Sequence, residues 1–238
     1  MTLDPRYTTL FQSLESAFQS TTSLPADKWP ILAIATLVAS PDPDHAHNLY
    51  LYLTSQQPTY STPEARQHLT RRLREALFKS IPLVGVCKPI EAILSISSVE
   101  QEQDRDYSFT REGWQCDGAN HERAMGWLQK LYRGNTAGTL DLFAAHRDFA
   151  WVSQEITYGL FLSDRQVLDD LDTQLVVLPA IMSQDLKTET HWHIRGTRRL
   201  GVPMEDVKVV WDCVKLVAGF HGVKLNRVPT VEEVEPDV

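Results

Sequence analysis

Apolar residues recur at three- and four-residue intervals wherever this chain shows a pattern, and that spacing confines it to helices. Tyr7 to Ser20 places Leu10, Phe11, Leu14 and Phe18 on one stripe. In Trp29 to Ala39 the apolar residues Ile31, Leu32, Ala35, Leu37 and Val38 cover most of the circumference, which predicts a buried helix. Ser40-Pro41-Asp42-Pro43-Asp44 supplies turn chemistry, and His45 to Thr54 follows as a shorter helix. Ser61-Thr62-Pro63-Glu64 then joins a hydroxyl cap to a first-turn Pro and Glu, opening a long helix through Leu69, Leu73, Leu77 and Ile81. Pro82 is expected to bend or end it, and a Gly85-centred link leads to a further helix ending near Ser98.

The pattern breaks from Val99 to Asn120, where charged and turn residues predominate. This stretch is expected to be a linker or an inserted hairpin, with a short strand pair between Arg105 and Trp114. Helices resume at His121 to Tyr132 and from Thr139 to Phe161, and Ser163-Asp164 is the expected cap of a helix running to Met182. A helix pair around Gly201 comes next. The expected organisation is all-α: a first helical unit over 1–98, the linker over 99–120, a second unit over 121–226, and an acidic, Pro-containing tail over 227–238 that is expected to be disordered. The link Leu83-Val84-Gly85-Val86-Cys87 resembles Ala218-Gly219-Phe220-His221-Gly222, and each ends a long helix with a Pro-and-acid start, so the halves read as two diverged copies of one unit.

Composition excludes several function classes. A formal charge of −8 disfavours nucleic acid and anionic membranes, which require a surplus of Lys and Arg at the contact. The 3 cysteines, Cys87, Cys116 and Cys213, are far apart and form no Cys-x-x-Cys, so neither a dithiol redox centre nor a thiolate zinc cage is expected. The start lacks a secretory pattern, and the apolar run from Trp29 to Val38 is too short to span a bilayer. A soluble intracellular protein is expected, cytoplasmic or in an organelle.

The stretch Glu189 to Gly201 holds the densest chemistry. Read as a helix, it puts Glu189 one turn before His193, where a carboxylate can orient an imidazole and raise its pKa. Gly201 ends that helix, and Val202-Pro203-Met204-Glu205-Asp206 starts the next with acids in its first turn. His191-x-His193 and His45-x-His47 look like chelates, yet residues two apart on a helix diverge by about 200°, so no metal is expected.

These residues carry a resemblance. Gln174-Leu175-Val176-Val177-Leu178, then His193 with Gly201 eight residues on, then Met204-Glu205-Asp206-Val207, resembles the carboxymuconolactone decarboxylase-like family of the alkylhydroperoxidase D-like superfamily. The clear likeness covers roughly 165 to 220. It implies two alkylhydroperoxidase D-like helical units in one chain, often assembled as a homo-oligomeric ring, acting on a small-molecule substrate without a cofactor. The peroxidase branch has a Cys-x-x-Cys ahead of the His and a Glu upstream, whereas Leu186, Glu189 and Gln174 occupy those places here. Neither Leu nor Glu replaces a redox thiolate, so cysteine-based peroxidase activity is not expected.

The resemblance implies decarboxylation, isomerisation or cyclisation by proton transfer at His193, with Glu189 as its partner. Arg195 then suits a substrate carboxylate, and His146, Tyr158 and Trp192 are candidate pocket walls. Each has a plainer rival. Glu189 and His193 also read as a surface pair, Arg195 as one of a solvated basic trio with Arg198 and Arg199, His146 as an exposed helix residue, and Tyr158 and Trp192 as packing aromatics. The alternative function is a catalytically inactive ligand-binding or assembly protein of the same fold, and the orientation of His193 toward or away from an enclosed cavity separates the two.

Overall fold

A computed structural model describes residues 1–238, and it contains helices and turns but no strand. The first five helices are α1 (Pro5–Thr21), α2 (Trp29–Ala39), α3 (His47–Gln56), α4 (Pro63–Val84) and α5 (Cys87–Ser97). Asp4 caps α1 through the Arg6 amide and Thr62 caps α4 through the Ala65 amide, so both starts are written locally. α4 continues through Pro82 to Val84, and Gly85 then takes the left-handed region at φ 86°.

Beyond residue 117 come α6 (Gly118–Tyr132), the short α7 (Thr136–Asp141) and α8 (Arg147–Trp151), and a π-helix over Val152–Phe161. Then follow α9 (Asp170–Met182), α10 (Lys187–Arg199), α11 (Met204–Phe220) and α12 (Val231–Val234). The cap of α9 is Asp169, in a reciprocal box with Asp172, rather than the expected Ser163-Asp164.

α2 and α9 form the centre. Every residue of α2 is buried, as is every residue of α9 from Asp172 onward, and the two helices pack on each other. Around them a cluster of 36 buried residues draws mainly on α1 to α5 and also on α9, α10, α11 and α12. A smaller cluster of 9, including Trp127, Leu128, Leu131, Tyr132 and Tyr158, joins α6 and the π-helix to α9. The candidate site lies in and beside this smaller core.

Two expectations fail. Residues 99–120 form no strand pair, because the side chains of α4 hold them in an irregular path. Arg66 pairs with Asp104 at 2.8 Å, Arg74 with Asp106 at 2.7 Å, and Glu75 accepts two bonds from Arg111 at 2.7 and 2.6 Å. The C-terminal segment is ordered: Val231 and Val234, one turn apart, bury their side chains, and Thr230 and Glu233 cap the short α12 reciprocally. Apolar content too small to register as a periodic stripe suffices here, since basic α10 supplies counter-charges for the acids.

Candidate functional site

α10 presents two unlike faces. Its inner face is fixed by Gln174 of α9, whose Nε2 donates to the Thr197 hydroxyl at 2.9 Å and to the His193 carbonyl at 3.3 Å. Gly196 lets the helix approach closely, since a Cβ there would lie 3.2 Å from Leu131 Cδ2. Gln174 is therefore a structural clasp for α10.

His193 points inward from this face and is 5% exposed. Its Nε2 lies 3.4 Å from the Tyr158 hydroxyl, which lies 2.9 Å from the Tyr132 hydroxyl. A proton order that satisfies both contacts has Tyr132 donating to Tyr158 and Tyr158 donating to Nε2. The ring proton then sits on Nδ1, which is buried without a partner. Burial pushes the His193 pKa down to about 4, and burial raises both tyrosines, Tyr158 well above the ordinary phenol value. All three groups are neutral at pH 7.

Tyr158 owes its position to the π-helix, in which Leu162 N donates to Thr157 O five residues back, at 3.0 Å. Fully buried Asn120 packs against this helix, and a Cβ on Gly159 would come within 2.4 Å of its Nδ2. That nitrogen donates to the Glu155 carbonyl at 3.0 Å. Inserting a side-chain donor into the carbonyl ladder is a recognised way to widen a helical turn.

The structure corrects several sequence-level assignments. Glu189 is exposed and makes no hydrogen bond to His193; it stands in the first turn of α10 beside fully buried Thr190, at the edge of the packed face, where a carboxylate keeps its hydration. Tyr158, expected as a pocket wall, is instead the group next to the imidazole. His146 is exposed at the start of α8, in the poorly packed arm of residues 133–157, and is not near His193. Trp192 is half-buried with its ring edge-on to Tyr132, 6.3 Å between centroids. Arg195 is 8% exposed, so it is not the solvated arginine of the plainer reading, but it lies on the opposite side of α10 from the His193 ring. Tyr132 and Asn120 were missed. Neither stands in a motif, and the one local signal was Gly159, a glycine inside an otherwise apolar helical stretch.

Cys87 and Cys116 are exposed, and Cys213 is buried with its pKa pushed up to about 12 by burial. No disulfide forms. The largest groove, about 660 Å³, runs between Lys130, Arg165, Asp170 and Leu200 to Pro203, and the main cavities of the molecule do not include His193, Tyr158 or Tyr132 among their walls. No helix is long and apolar enough to cross a membrane.

Comparison with known proteins finds relatives in two yeasts. The chain is 28% identical over 149 residues to "Peroxisomal protein 2" of Schizosaccharomyces pombe, an alignment covering 60% of this chain and 69% of that protein. It is 19% identical over 192 residues to "Peroxisomal protein 2" of Saccharomyces cerevisiae, covering 71% of this chain and 66% of the relative. No family model matches the chain, and no solved structure matches it.

Proposed function

We propose that the protein is a cofactor-free enzyme of small-molecule metabolism, of the carboxymuconolactone decarboxylase-like kind, that moves a proton through Tyr132, Tyr158 and His193. The observation that carries the reading is the buried, hydrogen-bonded row of three titratable groups ending on a vacant Nδ1 donor. Buried polar atoms are nearly always paired, so an unpaired donor at the end of such a row is a candidate contact for a carbonyl or carboxylate oxygen. An anionic substrate there would raise the basicity of the imidazole, which burial alone depresses. Access requires local opening. The adjacent arm of residues 133–157 is loosely packed and exposes Leu142, Phe149, Trp151 and Val152, as expected of a segment that opens at low cost.

The two-copy organisation belongs to the same proposal. It is supported by the mutual packing of α2 and α9, both Pro-containing and buried along nearly their whole length, and by left-handed glycines at 85 and 222 in the matching links. The names of the yeast relatives support a peroxisomal location, which a fluorescent fusion would test against a peroxisomal marker.

A panel of small keto acids and lactones incubated with the protein in D2O tests the chemistry. Solvent deuterium should enter a substrate carbon with wild type and fail to enter with His193→Asn or Tyr158→Phe. Exchange that is absent, or unchanged in the variants, refutes proton transfer at His193. The second reading, an inactive ligand-binding or assembly protein, is favoured by one observation, that His193 lines none of the main cavities.

A further inference from the structure

The outer face of α10 is basic, and the C-terminal segment lies across it. Arg198 grips Glu235 through two nitrogens, at 2.8 and 2.7 Å, and His191 Nε2 pairs with Asp237 at 2.9 Å. Arg199 donates to the Tyr132 carbonyl at 2.7 Å, to Asn135 Oδ1 at 2.8 Å and to the Asp237 carbonyl at 3.2 Å. Arg133, held at φ 48°, donates to the Arg199 carbonyl. Exposed Lys187 is left to water, and every other cation on this face but one thus has an acceptor.

The exception is Arg195. It makes no hydrogen bond and no ion pair, and its Nε is fully shielded without a partner. Arg199 close by is itself a cation, and burial, Arg195 and Arg133 together push the Arg199 pKa down. Arginine keeps its charge across the physiological range, so it cannot escape burial by losing a proton. The acids that approach this face, Glu235 and Asp237, are already engaged elsewhere. A guanidinium in this state is missing an anion.

We propose that Arg195, flanked by Arg133 and Arg199, is an oxyanion-binding site for a carboxylate- or phosphate-bearing small molecule, with the segment Thr230 to Asp237 as a strap across its rim. The site lies apart from the functional reading above, because Arg195 is on the opposite side of α10 from the His193 ring, and the binding does not depend on His193. The strap's carboxylates compete with the ligand for α10, so ligand entry loosens the contacts of Glu235 and Asp237.

Thermal melts and calorimetric titration with inorganic phosphate and with malonate, each against sodium chloride at equal ionic strength, test the proposal. Wild type should show a saturable upward shift with at least one of the two, and which anion acts identifies the headgroup. Arg195→Met should lose about tenfold or more in affinity, the value of a charge-assisted hydrogen bond. Its ligand-free melt should not fall, since an uncompensated charge is removed. Arg195→Lys, which keeps the charge without the fork, should bind with intermediate affinity. The double variant Glu235→Gln, Asp237→Asn should bind several-fold tighter than wild type. No saturable shift in wild type, or an equal shift in Arg195→Met and wild type, would overturn the proposal while leaving proton transfer at His193 open to its own test.

Discussion

Asp172 and His193 are buried to a similar degree, 3% and 5% exposed, but their surroundings differ in kind. Asp172 uses both carboxylate oxygens: Oδ1 accepts from Arg72 at 3.1 Å and Oδ2 from Lys28 at 3.0 Å, while Arg72 also holds Asp27 and Lys28 also holds Asp169. His193 has one long contact and one empty nitrogen. The first cluster ties α4 and the segment before α2 to the start of α9, and it is complete. The second is incomplete, as are Arg195 and the Gln174 Oε1 nearby. Networks that only hold a fold together tend toward full satisfaction, and unpaired buried groups concentrate where something else must bind.

The comparison predicts opposite responses to substitution. The largest effect should come from Asp172→Ala, which takes one of two acids from each of two buried cations and breaks the capping box of α9, and should cost about 3–5 kcal/mol. In a chain of this size that lowers the melting temperature by on the order of 10 °C. A loss below about 1 kcal/mol in calorimetry would show that the cluster is not structural in this sense.

Acid should separate the clusters next. The His193 pKa is about 4 in the folded chain and near the ordinary 6.5 when unfolded. Above pH 6.5 the ring is neutral in both states and contributes nothing. As pH falls from 6.5 toward 4 the unfolded state takes up a proton that the folded state refuses, so stability declines by up to about 3 kcal/mol and the decline then levels off. His193→Phe should remove this part of the pH dependence, as measured by denaturant unfolding across that range. An unchanged pH slope in the variant would place the acid sensitivity elsewhere.

Smaller still is the effect at the π-helix. Gly159→Ala puts a methyl against Asn120 and should cost about 1–3 kcal/mol by overpacking, with a shift of Tyr158 away from His193. Asn120→Ala should relieve the clash, so the double variant should recover part of the loss. Strict additivity of the two substitutions would sever the link between Asn120 and the π-helix.

The helices were legible because each carries its own signal: Leu10, Phe11, Leu14 and Phe18 for α1, the Thr62-Pro63-Glu64 start of α4, and Gly201 at φ 94° closing α10. The α10 pattern leaves the orientation of His193 open, and it does not show the partner of the ring. Glu189 has the right spacing and the wrong depth, since spacing fixes an angle around the helix and says nothing of where the packing stops. Tyr132 and Tyr158 are 26 residues apart and meet only through tertiary packing. The order of the C-terminal segment escaped for a similar reason: its acids look disordered until α10 supplies Arg198 and His191 as partners.

The most direct test is the imidazole itself. Nitrogen and proton NMR of His193 in selectively labelled protein should show a neutral ring, protonated on Nδ1, that does not titrate until pH approaches 4, and whose Nε2 shift changes in Tyr158→Phe. A ring that titrates near pH 6.5 and ignores the loss of the Tyr158 hydroxyl would contradict a buried Tyr132, Tyr158 and His193 relay.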